Sequence, residues 1–364
     1  MPDVLRIARQ SIRGIPYLKK ELGRRLSLST GMVMATPMTY YIIFSGRCNL
    51  ECTFCTIYKE VDPIIPPEAM LRVLREAKEL SGTGFNISLS GGEPTIYKPL
   101  YEMLELSHKM GANFGFTTNG LALTKSNVQK ILSFNPFNIN VSLESVDPAI
   151  NESLRPFKDG TKRTLEGIQN ILEEKERIGA RVSVIVKPTI MEANYRALPD
   201  LVRHFGKHSK VQVNFQPFVG FRTDPFWVQD LDNLKNVFAE ILELQREGYS
   251  VMGNEQQFQG FVDYMANPPQ TGSAKRHLDL GGKKRNCDIG LRSMFIYPNG
   301  NVFFCDFLGE PIGNIHKQSL KEIYYGAMAN KQRKTMVHCN IDCQQTCKRP
   351  VPLWVKARTF LRMG

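Results

Sequence analysis

The chain has 364 residues and is long enough for two domains. Of these residues, 42% are hydrophobic and 23% charged, which is typical of soluble globular proteins. Its net charge of +12 lies mostly at the two ends: residues 1–25 carry seven basic and two acidic residues, and residues 348–364 carry five basic and no acidic ones. Because the middle is nearly neutral, a basic nucleic-acid-binding core is not indicated, and we expect no nucleic-acid partner.

The sequence shows neither a signal peptide nor an apolar run long enough to span a bilayer. We therefore expect a cytoplasmic protein. In that reducing compartment, cysteines bind metals or take part in catalysis more often than they form disulfides. The eight cysteines of the chain are thus candidate ligands.

Residues 1–38 form a basic extension in which apolar residues recur at the three- and four-residue steps of a helix. These residues are Leu5, Ala8, Ile12 and Ile15. A second basic amphipathic segment, residues 351–364, ends the chain. Such ends are typical of peripheral contact with an anionic membrane, which would make the protein membrane-associated. The alternative, which we favour from the sequence, is that both segments pack on the rest of the protein with their cations in water.

Between residues 39 and 250, β-rich runs alternate with amphipathic helical runs. The β-rich runs cover residues 39–46, 86–92, 113–120, 137–145, 181–190 and 211–218. Six consecutive β/α units predict a parallel sheet wrapped by helices. Six units rather than eight favour a partial (β/α)6 TIM barrel, an α/β fold, over the closed form.

The loop after the first β-rich run holds Cys48, Cys52 and Cys55 at the spacing C-x3-C-x2-C. This spacing directs three thiols to one point, which disfavours three unrelated structural cysteines. Zinc sites usually need a fourth ligand, and the next cysteine is Cys287. Thiolates also hold iron–sulfur clusters. A [4Fe–4S] cluster with three thiolate ligands keeps one iron open for a small chelating molecule.

With the aromatic Phe54 just before its last cysteine, this loop resembles that of the radical S-adenosylmethionine (SAM) superfamily, and the resemblance covers residues 39–220. It implies that Cys48, Cys52 and Cys55 hold a catalytic [4Fe–4S] cluster whose open iron is chelated by SAM. It also implies an enzyme that cleaves SAM reductively to a 5′-deoxyadenosyl radical, which abstracts a hydrogen atom from the substrate. A reductant such as flavodoxin or ferredoxin is the expected electron donor.

The second β-rich run ends in the sequence Gly91-Gly92-Glu93-Pro94. Glycines allow a backbone to approach a ligand closely because they have no Cβ. The resemblance implies that this turn binds the SAM amino group through backbone carbonyls. The resemblance also implies that Glu93 fixes this loop and that Pro94 makes the backbone rigid where it leaves the loop.

The next two β-rich runs also end in polar residues. The resemblance implies SAM contacts near Thr118 and Asn119, and ribose contacts from Ser142 and Glu144. For Arg155 two roles stay open: an ion pair with the SAM carboxylate, or a surface salt bridge. Two residues near the ends of the last β-rich runs are candidates for substrate contact: Lys187 and Gln216.

Residues 251–350 hold the other five cysteines and a β-hairpin signal at Asn299-Gly300. Two cysteines flank the hairpin and three follow it: Cys287, Cys305, Cys339, Cys343 and Cys347. This arrangement resembles the small auxiliary-cluster domains called SPASM and twitch, which implies a second, auxiliary [4Fe–4S] cluster. Five cysteines suffice for one such cluster with one to spare, which favours a single-cluster, twitch-like α+β domain. Zinc is the alternative.

An auxiliary cluster favours a redox outcome, either net oxidation or C–H functionalisation. No motif specifies the substrate. A small metabolite, sugar or membrane lipid is favoured, because no peptide-recognition domain is visible in residues 1–38. A peptide- or protein-modifying maturase is the alternative. A non-catalytic iron–sulfur electron carrier is a further alternative, but it would not need the polar strand ends.

Overall fold

The computed structural model describes residue 16 and residues 18–59, 64–220, 222–266, 287–305 and 310–336. The strands are β1 (Thr39–Ile43), β2 (Asn86–Ser90), β3 (Asn113–Thr118), β4 (Asn138–Val141), β5 (Ser183–Val186), β6 (Thr189–Ile190), β7 (Val211–Val213), β8 (Gln216–Pro217), β9 (Ser293–Ile296), β10 (Asn301–Phe303) and β11 (Gly313–Asn314). The helices are α1 (residues 18–30), α2 (Pro67–Ser81), α3 (Leu100–Lys109), α4 (Lys125–Ser133), α5 (Pro148–Leu154), α6 (Gly160–Ile178), α7 (Leu198–His204), α8 (Leu231–Arg246), α9 (Glu255–Ala266), α10 (Ile289–Arg292), α11 (Leu320–Tyr325) and α12 (Ala327–Met336).

Six strands form the predicted parallel sheet in the order β1-β2-β3-β4-β5-β7. Their side chains alternate between two faces. In β2, Ile87 and Leu89 are buried in the same core as Met70 of α2, whereas Ser88 and Ser90 on the other face are only partly covered. The partial barrel is therefore confirmed, and its inner face is polar where β2 contributes to it.

The last two predicted β-rich runs are each broken into two strands. Pro188 lies between β5 and β6, where it has no N–H to donate to a sheet. β6 pairs with β8 in parallel as a separate two-stranded sheet. The sequence also did not indicate α5, which begins at Pro148 after the N-cap Asp147.

The hairpin predicted at Asn299-Gly300 is confirmed, since β9 and β10 pair antiparallel and Gly300 adopts φ 79°. The structure adds a pairing that the sequence did not indicate: β9 lies parallel to β1. The hairpin and β11 thus extend the barrel sheet to nine strands. The domain boundary at residue 251 stays a prediction.

α1 packs at the end of the barrel where the strands begin. Its Lys20 ammonium donates to the backbone oxygens of Pro37 (3.1 Å), just before β1, and Ser81 (2.8 Å), at the end of α2. No helix in the part of the chain that the structure describes is long and apolar enough to cross a membrane. The segment 351–364 lies outside the described residues.

Candidate active site

Cys48, Cys52 and Cys55 line one pocket at the carboxyl ends of the barrel strands, where ligands bind in this class of fold. The pocket has a volume of about 590 Å³ including its open mouth. It is also lined by residues from the ends of β2, β3 and β4 and by a single arginine. These residues are Ser90, Gly91, Gly92, Thr117, Thr118, Asn119, Ser142 and Arg155. The motifs picked out from the sequence therefore meet in one place.

The thiols of the cysteine loop lie in a partly dehydrated environment. Burial raises the pKa of Cys52 to about 11 and also raises that of Cys48, because it disfavours the thiolate. The guanidinium of Arg155, whose Nη1 lies 3.6 Å from Cys52 Sγ, acts in the opposite direction. Metal binding requires the thiolate, so loading of this loop must release protons.

Gly91 and Gly92 are needed for a reason other than the expected approach of a ligand. A Cβ on Gly91 would lie 2.6 Å from the Ser45 carbonyl oxygen, and one on Gly92 would lie 2.1 Å from the Arg47 carbonyl oxygen. The same carbonyls accept hydrogen bonds from the next residues: Gly92 N donates to Ser45 O (2.8 Å) and Glu93 N to Arg47 O (2.9 Å). The two glycines therefore let the turn after β2 (residues 91–94, the β2 turn) bind the start of the cysteine loop through its backbone. Both glycines also line the pocket.

The Glu93 carboxylate is completely buried and ties the β2 turn to the end of β3. It accepts four hydrogen bonds: from Thr95 N (3.0 Å), Thr95 Oγ1 (2.5 Å), Thr118 Oγ1 (2.7 Å) and Asn119 N (2.6 Å). Burial raises its pKa, and these hydrogen bonds counteract that rise. Glu93 and the buried Pro94 are not among the residues that line the pocket. Glu93 thus fixes the turn, as expected, without facing a ligand.

Asn119 joins the end of β3 to the cysteine loop. Its Nδ2 donates to Asn49 Oδ1 (2.7 Å), next to Cys48. Its Oδ1 accepts from Leu121 N (3.0 Å), which orients the amide. The hydroxyl of Thr118 donates to Glu93 (2.7 Å) and accepts from Gly120 N (3.1 Å), and its expected polar contact with SAM stays a prediction.

Arg155 is not a surface residue, which removes the surface salt-bridge alternative. Its side chain is 14% exposed and pairs with the fully buried Glu144, whose Oε1 accepts from Arg155 Nε (2.9 Å) and Nη2 (2.6 Å). Burial disfavours the charge of Arg155, but Glu144 and Cys52 outweigh this effect and raise its pKa. The guanidinium also lies 5.3 Å from the ring centre of Phe54.

From the sequence, Glu144 was expected to contact the ribose of SAM, and the structure corrects this expectation. Its Oε1 is engaged by Arg155, and its Oε2 accepts from Thr189 N (2.6 Å). The side chain has no exposed surface and does not line the pocket. Ser142, at the end of the same strand, does line it. Glu144 therefore positions Arg155 and joins it to β6.

Some lining residues were not singled out from the sequence. They are Leu50, Ile57, Tyr58, Ser90 and Thr117. The first three sit within or directly after the cysteine motif, so their position was a usable signal. Lys187 and Gln216 do not line this pocket, and their contact with a substrate stays a prediction.

The auxiliary cysteines that the structure describes are Cys287, two residues before α10, and Cys305, two residues after β10. Both lie near the end of the hairpin opposite to its turn. Because β9 runs parallel to β1, this end of the hairpin lies where the barrel strands begin, whereas the cysteine loop follows the carboxyl end of β1. Next to Cys287, the buried carboxylate of Asp288 accepts from Arg24 Nη1 of α1 (2.6 Å). Cys339, Cys343 and Cys347 lie outside the described residues.

The donor set of the first loop fits an iron–sulfur cluster. Three thiols and no carboxylate line the pocket, and soft thiolate ligands suit iron–sulfur clusters. No three His, Cys, Asp or Glu side chains within the described ranges are close enough to bind one metal ion. A [4Fe–4S] cluster does not need such convergence, since each cysteine binds a different iron.

Two family models match the chain. The model described as the radical SAM superfamily matches residues 42–194, which include the cysteine loop, the β2 turn and Arg155. The model of the SPASM domain, described as an iron–sulfur cluster-binding domain, matches residues 287–349 and begins at Cys287.

Several known proteins are similar to the chain. The sporulation killing factor maturation protein SkfB of Bacillus subtilis is 23% identical over 308 residues, which are 83% of this chain and 68% of that protein. A GTP 3′,8-cyclase of Staphylococcus carnosus is 26% identical over 228 residues, which are 60% of this chain and 64% of that protein. The crystal structure of Streptococcus suis SuiB bound to its precursor peptide SuiA has a TM-score of 0.63 at 19% identity, covering 85% of this chain and 72% of SuiB.

Proposed function

Because the chain belongs to the radical SAM superfamily and carries a SPASM domain, we propose that it is a maturase that modifies a peptide or protein. The observation that carries the enzyme assignment is the single pocket shared by three thiols, the β2 turn and a buried arginine. The proposal of a peptide substrate is supported by SkfB, a maturation protein that matches most of this chain, and by SuiB, which was crystallised with a precursor peptide.

A small-molecule substrate, favoured from the sequence, is less well supported by these relatives. The similarity to a GTP cyclase covers 60% of the chain, against 83% for SkfB. A separate N-terminal recognition domain is only one of the ways in which an enzyme can bind a peptide. The peptide-modifying alternative therefore becomes the main proposal.

The cofactors are SAM, a catalytic [4Fe–4S] cluster and an auxiliary [4Fe–4S] cluster. When bound, the catalytic cluster and SAM supply the 5′-deoxyadenosyl radical that abstracts a hydrogen atom from the substrate. Cys48, Cys52 and Cys55 would hold the catalytic cluster. Two of the three cysteines beyond the described residues would join Cys287 and Cys305 at the auxiliary one.

The chain's own residues orient SAM at this site. Arg155 is held with its guanidinium in the pocket wall, where it would pair with the SAM carboxylate in a charge-assisted hydrogen bond. The backbone at Gly91 and Gly92 would accept from the SAM amino group. Ser142 and Asn119 offer polar groups to the nucleoside end. The ring of Phe54 lies beside the guanidinium of Arg155, at 5.3 Å.

The position of the auxiliary cysteines favours electron transfer over direct binding of the substrate. β1 has five residues, so its two ends are roughly 15 Å apart. Cys287 and Cys305 lie near the end of the sheet away from the SAM pocket. A substrate held in the pocket would not reach iron bound there, whereas an electron would. The net reaction would then be an oxidation of the substrate in which SAM is the oxidant, and a flavodoxin- or ferredoxin-type protein would supply the electron that starts SAM cleavage.

The proposal is tested by following the hydrogen atom that the enzyme abstracts. Source cells are grown with deuterated amino acids, and their extract is separated by size into a peptide and a small-metabolite fraction. Reconstituted enzyme, SAM and reductant are added to each fraction, and 5′-deoxyadenosine is analysed by mass spectrometry. Deuterium should appear in 5′-deoxyadenosine with the peptide fraction, and Cys52→Ala should form none. Deuterium transfer from the small-metabolite fraction alone would overturn the proposal.

A further inference from the structure

Helix α1 presents its polar side to the protein. Lys20, Glu21 and Ser27 are buried, with 5–7% of their surface exposed. Lys20 Nζ donates to Thr36 Oγ1 (2.9 Å) in addition to the two backbone oxygens described above. Arg24 bonds Glu21 and Asp288. The polar side is thus fully engaged in packing, which is the reverse of an ordinary surface helix.

The opposite side of α1 carries leucines that are open to solvent. Leu18, Leu22 and Leu26 are 62%, 58% and 37% exposed. At 3.6 residues per turn they fall within an arc of about 80°. Met34, 53% exposed, extends this surface, because its backbone packs against α1 at Gly23. Exposed leucines along one side of a helix indicate an interaction surface.

We call Leu18, Leu22 and Leu26 the leucine face. Two exposed basic residues, Lys19 and Arg25, flank it on either side of the helix. Residues 1–25 carry seven basic and two acidic residues, and of these cations Lys20 and Arg24 face the protein. A protein groove would accommodate leucines alone, whereas leucines bordered by cations in a strongly basic segment fit an anionic lipid surface.

We propose that the leucine face of α1 lies in the headgroup region of an anionic membrane and holds the enzyme there. The polar contacts of α1 with Pro37 and Ser81 fix it at the end of the barrel where the strands begin. The pocket opens at the other end of the strands. Membrane contact therefore leaves the pocket mouth accessible from the aqueous side. This inference does not depend on the substrate being a peptide.

The test is sedimentation of the full-length protein with vesicles of phosphatidylcholine alone or of phosphatidylcholine mixed with phosphatidylserine. We expect the protein to pellet with the mixed vesicles and to stay in the supernatant with phosphatidylcholine. Leu18→Ser/Leu22→Ser should weaken the partition coefficient at least about tenfold, since two largely exposed leucines lose their burial in lipid. Lys19→Ser should weaken it about fivefold at low salt.

The matched control is Phe137→Ser/Ile178→Ser, which removes two side chains that are 42% and 43% exposed elsewhere on the surface. It should pellet like the unaltered protein, and equal iron content will show that all variants are folded. Recovery of the unaltered protein in both supernatants would overturn the proposal, as would unchanged pelleting of the leucine variant. Light scattering that shows a dimer, converted to a monomer by Leu18→Ser/Leu22→Ser, would mean that a second copy covers the face, and would overturn it too.

Discussion

Replacing Glu144 by glutamine removes the negative charge that holds Arg155 in the wall of the pocket. The two oxygens of Glu144 serve different partners: Oε1 accepts both bonds from Arg155, and Oε2 accepts from Thr189 N. A glutamine has only one oxygen, so either Arg155 or Thr189 N loses its acceptor. We therefore expect Arg155 to leave its present orientation and SAM to bind more weakly.

The magnitude follows from the burial of the pair. Glu144 has no exposed surface and Arg155 is 14% exposed, and breaking a buried ion pair destabilises a protein by about 3–5 kcal/mol. We expect the free energy of unfolding to fall by about 3 kcal/mol. A hydrogen bond to a charged group contributes about 1.5–3 kcal/mol, so the Kd for SAM should rise by roughly 10- to 150-fold.

The assay is equilibrium dialysis of labelled SAM against unreduced, iron-loaded protein, which measures binding without turnover. A double-mutant cycle with Arg155→Met separates two roles for Glu144. If Glu144 acts only by positioning Arg155, Glu144→Gln adds no further loss of affinity in the Arg155→Met background. Additive losses would show that Glu144 touches the ligand itself, as the sequence suggested, and would refute the positioning role.

Three other substitutions test contacts next to the two cysteine sites and the packing of α1 on the barrel. Gly92→Ala would bring a Cβ within 2.1 Å of a backbone carbonyl oxygen of the cysteine loop, so we expect most iron to be lost from this loop after reconstitution, measured by iron content and absorbance. Asp288→Asn removes the carboxylate that bonds Arg24 beside Cys287, and we expect iron to fall from about eight to about four atoms per chain. Lys20→Met removes an ammonium whose pKa burial lowers from 10.5 to about 8. Between these pH values the unfolded chain binds more protons than the folded one, so the free energy of unfolding of the unaltered protein should rise relative to the variant, by about 1–2 kcal/mol from pH 8 to 9.5 in urea titrations.

Each of these changes has a matched control. Gly179→Ala adds a Cβ that meets no atom within 4 Å, so only its left-handed φ of 65° is strained, and iron should be retained. Asp200→Asn alters an exposed ion pair and should leave the iron content unchanged. Lys19→Met removes a cation on the exposed side of α1 and is the control for Lys20→Met. Full iron in Gly92→Ala or Asp288→Asn would contradict the prediction concerned, and a flat pH response would mean that the three oxygens around Lys20 keep it charged.

The elements of the barrel were predictable because they are encoded locally. The alternation of β-rich and helical runs gave the six parallel strands, and the Asn299-Gly300 turn gave the hairpin. The pairing of β9 with β1 was not predictable, since it joins segments about 250 residues apart and neither strand carries a signal for its neighbour. Helix α5 was overlooked although Asp147-Pro148 is a regular helix start.

For the site, residue type indicated the place but not always the partner. The sequence correctly indicated that Gly91, Gly92 and Glu144 follow the carboxyl ends of strands. It assigned all three to the ligand, because a glycine pair or a carboxylate at a strand end is compatible with both a ligand and a protein contact. The structure gives the carbonyls of Ser45 and Arg47 as the partners of the glycines, and Arg155 as that of Glu144. Such partners lie far away in sequence and leave no local pattern.

Helix α1 shows the same limit in its clearest form. A three- and four-residue periodicity defines an apolar side and a polar side, but it does not say which of them faces the protein. The apolar side normally does, because burying a leucine stabilises a fold by about 2 kcal/mol. In α1 the order is reversed, since Lys20 finds three oxygen acceptors and Arg24 finds Asp288. The leucine face is thereby left exposed among the described residues, and the lysine and arginine beside it are the reason for which we propose an anionic surface as its partner.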